Sequence, residues 1–345
     1  MADPIPGTMA APSTEQAVML HLLSGYRVTQ LLAVAAQLGI ADLLAGGPQA
    51  VEELAKAAGV RADALYRALR GLASFGVFSE VTPRSFALTP LADLLRTDHP
   101  HSMRAPVLFH GAEPYRAWGD LLYSLQTGAP AFDHVYQLSH FDYLAQHAEA
   151  SAVFNQTMTV NTARSVTATV SAYAYPATGV VVDIGGGHGV LLAAVLQAHP
   201  GLRGVLFDQP HVVAGATRTL EEAGVAARCV RVGGDFFNPP LPAGDVYLLR
   251  QVIHDWDDAH SLVILRHCAQ AMAPEGKVLV IEALVPPGND PSPVKFLDLQ
   301  MLVMNGGRQR TEKEYRQLYA AAGLRLARVI PAGPEFSLVE GTRAA

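Results

Sequence analysis

The sequence predicts an α/β protein built in two parts. A helix-rich amino-terminal module closes on a β-hairpin, and a carboxyl-terminal parallel sheet follows with helices on both faces. Three observations predict it. Residues 15–44 are helical in pattern but apolar nearly all round, residues 50–97 read helix, turn, helix and two short strands, and after Pro176 apolar β-branched runs alternate with helical segments. The length of 345 residues is about twice the ~150 of one domain. Half the chain is AVILMFWYC and 16% is charged, which supplies a large core and excludes a disordered protein. With 31 acids against 25 bases, the net charge of −6 recruits the whole chain neither to nucleic acid nor to an anionic membrane. Two cysteines, Cys229 and Cys268, form neither a disulfide scaffold nor a zinc spacing, which points to a reducing compartment. No charge-free apolar run reaches the ~18 residues of a membrane span, and the first residues lack a basic segment followed by an apolar one. The expectation is a cytoplasmic protein that makes no membrane contact.

Residues 1–13 are rich in Pro and Ala and read as a loose arm, followed by a first domain at 14–105. Its opening helix has almost no polar face (Leu22, Leu23, Tyr26, Leu31, Leu32, Leu38), so it must be buried on most sides; a second subunit is the expected partner, and the core of the same chain is the alternative. VEELAKAAGV gives a helix closed by Gly59, and the next helix carries Leu65, Leu69 and Leu72 on one face. Residues 78–81 and 85–88, separated by Thr82, Pro83 and Arg84, read as the wing of a winged helix. That motif often binds DNA. Residues 1–105, however, hold eight bases and nine acids, a balance that gives little phosphate attraction, so a structural role is favoured over a DNA-binding regulator.

Residues 106–175 form a helical linker with breaks at 127–130 and at Tyr175-Pro176, and residues 176–345 form the sheet domain. Its predicted strands are residues 180–184, 204–208, 229–232, 245–249 and 277–282, with a terminal antiparallel pair at 324–330 and 336–339. The strongest chemical signal is VVVDIGGGHG at 180–189. Glycines between a buried strand and a helix let a ligand approach the backbone, with helix N–H groups pointing at it. A dinucleotide fingerprint would need glycine where Val190 stands, and no Gly-Lys-Ser/Thr follows for a P-loop. The tighter Gly185, Gly187, Gly189 spacing suits S-adenosylmethionine, which has no pyrophosphate to cradle; a plain tight turn is the structural alternative. Asp208 ends the second strand, where a carboxylate can accept both ribose hydroxyls or merely cap a helix. After the third strand, Asp235 can accept from an adenine amine while Phe236 stacks on the ring.

The fourth strand leads into Arg250, His254, Asp255 and Trp256. With the glycine loop, Asp208, Asp235-Phe236 and the winged-helix half, this series resembles the two-domain S-adenosylmethionine-dependent O-methyltransferases of the caffeate/hydroxyindole type, including bacterial natural-product tailoring enzymes. The resemblance covers residues 15–340. It implies a Rossmann-like methyltransferase sheet, S-adenosylmethionine as cofactor, and a homodimer whose amino-terminal domain closes the neighbouring active site. It implies His254 as general base, Glu282 as the acid beside it, and Arg250, Gly185, Gly187, Asp208, Asp235 and Phe236 near the cofactor. The family's second acid lies in a segment matched here by Gly306 to Thr311, and the sequence departs at Gln309, which can hydrogen-bond but cannot stabilise imidazolium by charge. Phe154, Met158 and Asn161 match one substrate-side segment, and Met301 and Asn305 another; at helical spacing the methionines also suit an ordinary core. A phenol titrates near ~10 and an imidazole near ~6.5, so transfer to a phenolic oxygen needs a positioned base and no metal. The expected activity is methylation of a hydroxyl on an aromatic small molecule in bacterial secondary metabolism. N-methylation, a same-fold hydroxylase or decarboxylase, a DNA-binding regulator and an NAD-dependent dehydrogenase are the alternatives.

Overall fold

The computed structural model describes residues 14–344, and the arm expected at 1–13 lies outside them. The chain divides into two compact units after Ala112. In the first, α1 (Thr14–Gln37) and α2 (Ile40–Leu43) replace the continuous helix expected to Leu44. The break falls at Gly39, whose φ of 64° is left-handed and open to glycine at little cost. A short strand β1 (Gln49–Ala50) precedes α3 (Val51–Ala58) and α4 (Ala62–Ala73). Gly59 closes α3 with a φ of 67°, as its sequence implies. The wing is β2 (Phe78–Thr82) and β3 (Ser85–Leu88), with α5 (Pro90–Asp93) and α6 (Arg104–Gly111) after it. Thr82 pairs with Ser85, so the turn is only Pro83-Arg84, one residue tighter than expected. Arg84, the wing's one base, is held by Glu52 at 2.7 Å and Asp63 at 3.1 Å.

Leu54, Leu69, Leu72, Phe78 and Phe86 are buried together as this unit's core. In the amino-terminal half of α1, Val18, Met19, Leu22, Leu23 and Tyr26 are each more than half exposed in the single chain, so the core of this unit does not cover them. Among the described residues, α1 is also the one helix long and apolar enough to cross a membrane, although Arg27 stands in its middle.

The second unit opens with α7 (Glu113–Trp118), α8 (Leu121–Thr127), α9 (Ala131–Tyr136), α10 (His140–Gln146) and α11 (Ala148–Ser171), more breaks than the two expected. Helix α11 is rich in threonine. The hydroxyls of Thr157, Thr159, Thr162 and Thr169 donate to the carbonyls four residues back, at 2.8–3.0 Å, so a polar sequence can lie against the core. The sheet follows: β4 (Gly179–Ile184), α12 (Val190–Ala198), β5 (Leu202–Asp208), α13 (Pro210–Ala214), α14 (Thr217–Glu222), β6 (Cys229–Gly233), β7 (Gly244–Arg250), α15 (Asp258–Ala271), β8 (Met272–Glu282), α16 (Pro293–Met304), α17 (Glu312–Ala321), β9 (Leu324–Pro331) and β10 (Ser337–Arg343). Strand order is β6-β5-β4-β7-β8-β10-β9, with β10 antiparallel to both neighbours. All seven strands stand where the sequence places them, within a few residues.

Successive residues of each central strand enter opposite cores. Val181, Leu206, Leu248, Leu279 and Ile281 pack under α12 on one face, while Val182, Phe207, Tyr247, Leu249, Val278 and Val280 pack under α15 and α17 on the other. Burial on both faces explains why these strands read as unbroken apolar runs. Winding reverses between β4 and β7, and the carboxyl ends of these two strands border the crevice where open α/β sheets bind ligands.

Candidate active site

Strand β4 delivers the chain to the glycine loop. Gly185, Gly187 and Gly189 have φ of 66°, 58° and 78°, all left-handed. A Cβ at Gly185 would lie 2.7 Å from Val252 Cγ2, and one at Gly186 would lie 2.4 Å from Leu206 Cδ1 and 2.7 Å from Asp183 Cγ. At Gly187 a Cβ would meet nothing within 4 Å, so that side of the loop is open. The Gly187 N–H donates to Asp208 Oδ2 at 2.8 Å, and the Gln209 N–H to Oδ1 at 2.7 Å. Asp208 thus stands directly against the loop, its carboxyl raised mainly by burial. Asp183 is buried and its Oδ2 has no hydrogen-bond partner; burial, reinforced by the Asp208 charge, pushes its carboxyl up to about 7. An open glycine cradle, a ribose-competent carboxylate and an orphaned acid behind them fit a cofactor such as S-adenosylmethionine.

Two other cofactor candidates are differently engaged. Both oxygens of Asp235 accept local bonds, from the Phe237 N–H at 2.9 Å and from Asn238 Nδ2 at 2.8 Å. Phe236 lies edge-on to Phe237 and Trp256. Arg250 ends β7 and is spent mostly on α11: its terminal nitrogens donate to Thr162 Oγ1 and Ser165 Oγ at 3.0 Å and to the Asn161 carbonyl at 3.3 Å. Its planar group also lies 4.7 Å over the Phe336 ring, and only Nε lacks a partner. This arginine ties the sheet to the helix bearing Phe154, Met158 and Asn161.

Beyond Arg250 the chain must leave the sheet sharply. Gln251 takes a φ of 53°, unusual for a non-glycine, while its N–H donates to the Ile281 carbonyl at 3.1 Å. A single 3₁₀ turn, Ile253–Asp255, then presents His254, which is 4% exposed. Its Nδ1 lies 3.3 Å from Glu282 Oε2 at the end of β8, and against the Gln309 side-chain amide. The His254 N–H also donates to Glu282 Oε1 at 3.2 Å. On the other side of the ring, Nε2 is 3.6 Å from Asp255 Oδ1. Burial, with the Arg250 and Arg310 cations behind it, pushes the imidazole well below its usual value, while burial pushes the Glu282 carboxyl up.

The polar chain continues past the imidazole. Asn305 Nδ2 donates to Asp255 Oδ1 at 2.6 Å, and Asn305 Oδ1 faces His140 Nδ1 at 3.0 Å. Burial raises the Asp255 carboxyl to about 7 and lowers His140 to about 4. Phe154 stands edge-on to His140 and Phe141, and Phe141 stacks on Trp256 with centroids 5.6 Å apart. Met301 is buried on α16, Met158 is half-buried on α11, and Met304 belongs to a packed cluster with Phe132 and Val303.

The structure therefore brings His254, Glu282, Gln309 and Asn305 into one cluster, with Phe154 joined to it through His140. Arg250 and Asn161 meet each other, and Asp235 turns inward on its own loop. Sequence reasoning missed Asp255 and His140. Asp255 was readable as a second acid beside the histidine at a strand end, whereas His140 carries no local signal and is recruited only by packing.

The family model described as O-methyltransferase domain matches residues 118–325, and the O-methyltransferase dimerisation domain matches residues 20–98. Phenazine O-methyltransferase PhzM of Lysobacter antibioticus is 49% identical over 323 residues, covering 94% of this chain and 95% of that protein. An 8-amino-8-demethylriboflavin N,N-dimethyltransferase of Streptomyces davaonensis is 38% identical, covering 91% of each. Among solved structures, LaPhzM superposes with a TM-score of 0.93 at 48% identity, covering 97% of this chain and all of the other. NcsB1 from neocarzinostatin biosynthesis, solved with S-adenosylmethionine and 2-hydroxy-5-methyl naphthoic acid, superposes with a TM-score of 0.84 at 35% identity, covering 94% and 98%.

Proposed function

The chain belongs to the family of S-adenosylmethionine-dependent O-methyltransferases, and on that premise we propose that it methylates a hydroxyl of a flat aromatic metabolite. The observation that carries this reading is the buried His254, backed at Nδ1 by Glu282 and Gln309 and facing Asp255 at Nε2, with Asn305 bonded to that Asp255. Residues 185–189 and Asp208 would hold the cofactor, with Phe236 and Asp235 flanking the adenine. When bound, S-adenosylmethionine supplies an electrophilic methyl on a sulfonium centre.

His254 takes the acceptor's proton. Glu282 Oε2 favours the tautomer with its proton on Nδ1, which leaves the Nε2 lone pair for the acceptor. Half a turn of the Gln309 amide presents its unpartnered Oε1 to the same Nδ1 proton. Burial keeps the imidazole neutral at physiological pH, so the base is always ready but weak. Orientation of the acceptor oxygen, through Phe154, Met158, Met301 and Asn305, then carries most of the acceleration. Arg250 contributes indirectly by fixing α11, and the step needs no metal.

N-methylation is the second reading, favoured by Gln309: an amide in place of an acid supports imidazolium less, and an amine acceptor demands less of the base. We read the protein as a homodimer, because the exposed apolar half of α1 lies mostly within the matched dimerisation segment. We read it as cytoplasmic from its two free cysteines, half-buried Cys229 and buried Cys268. The test is mass spectrometry with methyl-labelled S-adenosylmethionine against a panel of polycyclic phenols and aryl amines. Label on oxygen supports the reading, label only on nitrogen replaces it with the second, and no transfer from a protein that binds S-adenosylhomocysteine overturns both.

A further inference from the structure

We infer that Arg310 is a positioning residue for the reaction, its guanidinium clamping from both sides the turn that presents His254. The inference rests on His254 acting as the base. A lone 3₁₀ turn is a weak scaffold, and Ile253–Asp255 has no side-chain cap at its start. Its carbonyls are held by the segment 307–310, with the Ser261 hydroxyl as a second, longer donor to those of Ile253 and Trp256 at 3.2 and 3.3 Å. Arg310 Nη1 donates to the Ile253 carbonyl at 3.0 Å, and Nη2 to the Trp256 carbonyl at 2.9 Å. Between them, the His254 carbonyl accepts the Arg308 N–H at 2.9 Å. Three carbonyls spanning the histidine are thus fixed from one strand of chain.

The segment lies directly against the turn. A Cβ at Gly307 would come within 2.1 Å of the His254 carbonyl oxygen and 2.4 Å of the Asp255 carbonyl carbon. Gln309, between the two arginines, then reaches the imidazole itself. Arg310 is completely buried, and its remaining bonds run to Asp258 Oδ1 at 2.9 and 2.7 Å, to Ser261 Oγ at 3.1 Å and to the Arg308 carbonyl at 3.4 Å. Asp258 is the counter-ion that makes a buried cation tolerable, and its own side chain is 65% exposed. A planar fork can bridge carbonyls on opposite sides of the turn; an ammonium on a single stem cannot.

The test is a double-mutant cycle. Arg310→Lys and Asp258→Asn are each made in the full chain and in the His254→Ala background, with kcat, KM for S-adenosylmethionine and thermal melting measured throughout. Arg310→Lys is expected to lower kcat about ten- to hundredfold, the scale of a misplaced catalytic group, and to leave KM for the cofactor unchanged. In the His254→Ala background the same change should remove little more, because it acts through the absent imidazole. Asp258→Asn should give a smaller, several-fold loss that also vanishes in that background. A folded Arg310→Lys protein with wild-type kcat, or equal losses in both backgrounds, overturns the inference. Should Arg310→Lys not fold, Asp258→Asn decides by the same criterion. Wild-type turnover in His254→Ala alone overturns the proposed function itself, independently of the cycle.

Discussion

Replacing Gln309 by glutamate puts a second carboxyl against His254 Nδ1, where Glu282 Oε2 already stands 3.3 Å away. A unit charge at roughly 3 Å, with an effective dielectric near 20, interacts with imidazolium by about 5 kcal/mol. Much of this is offset, because a buried carboxylate loses several kcal/mol of hydration. Two carboxyls so close also resist ionising together, and burial already raises the Glu282 carboxyl. A net gain near 1.4 kcal/mol, about one pKa unit on the imidazole, is the reasonable expectation. An added negative charge raises the histidine value, so the acidic limb of the kcat profile should move up by about one unit. The assay is methyl transfer to a weakly acidic phenol from pH 3 to 9 at saturating S-adenosylmethionine. With the native imidazole held down to about 3, the variant should lose turnover on acidification about one unit sooner and be several-fold faster at pH 8, where a stronger base is available. An unmoved acidic limb with lower kcat at every pH would refute the electrostatic reasoning and make Gln309 a substrate contact.

Three further outcomes are expected. His254→Ala should lower kcat by about 10²–10⁴ with the affinity for S-adenosylhomocysteine unchanged by calorimetry, and parallel losses in both would mean that the loop, not the base, was damaged. Asp183 is held up near 7, so its folded form keeps a proton that the unfolded chain releases near 4, and its contribution to stability fades as pH rises between those values. Asp183→Asn should therefore gain on the native protein in melting temperature from pH 4 to pH 8, and a constant gap would show that the carboxyl is not buried as described. Leu22→Glu, on the exposed face of α1, should shift the light-scattering mass toward the monomer, since each buried leucine contributes about 2 kcal/mol to such an interface; an unchanged mass places the dimer contact elsewhere.

Legibility varied with how local the physics is. The seven strands could be read because burial on both faces leaves an apolar signature in each one. The glycine loop was readable because left-handed turns at 185, 187 and 189 select one residue type. The apolar pattern of the amino-terminal helix was plain, but pattern alone does not say which surface covers it, and in the single chain its first half stands exposed. The sequence placed Asp235 and Arg250 near the cofactor, but gave no sign of the bonds that hold the first within its own loop and tie the second to α11.

The order of elements, the strands, the cradle and the position of a histidine at a strand's end were thus determined by the sequence alone, since each depends on neighbours a few residues away. Tertiary structure decided the histidine's surroundings. Glu282 and Gln309 meet it from two separate stretches of chain, Asn305 links its neighbour Asp255 to His140 on α10, and Arg310 grips the turn from behind. Such a cluster exists only when distant segments are packed together, and its displaced proton affinities come from the exclusion of water that packing brings about.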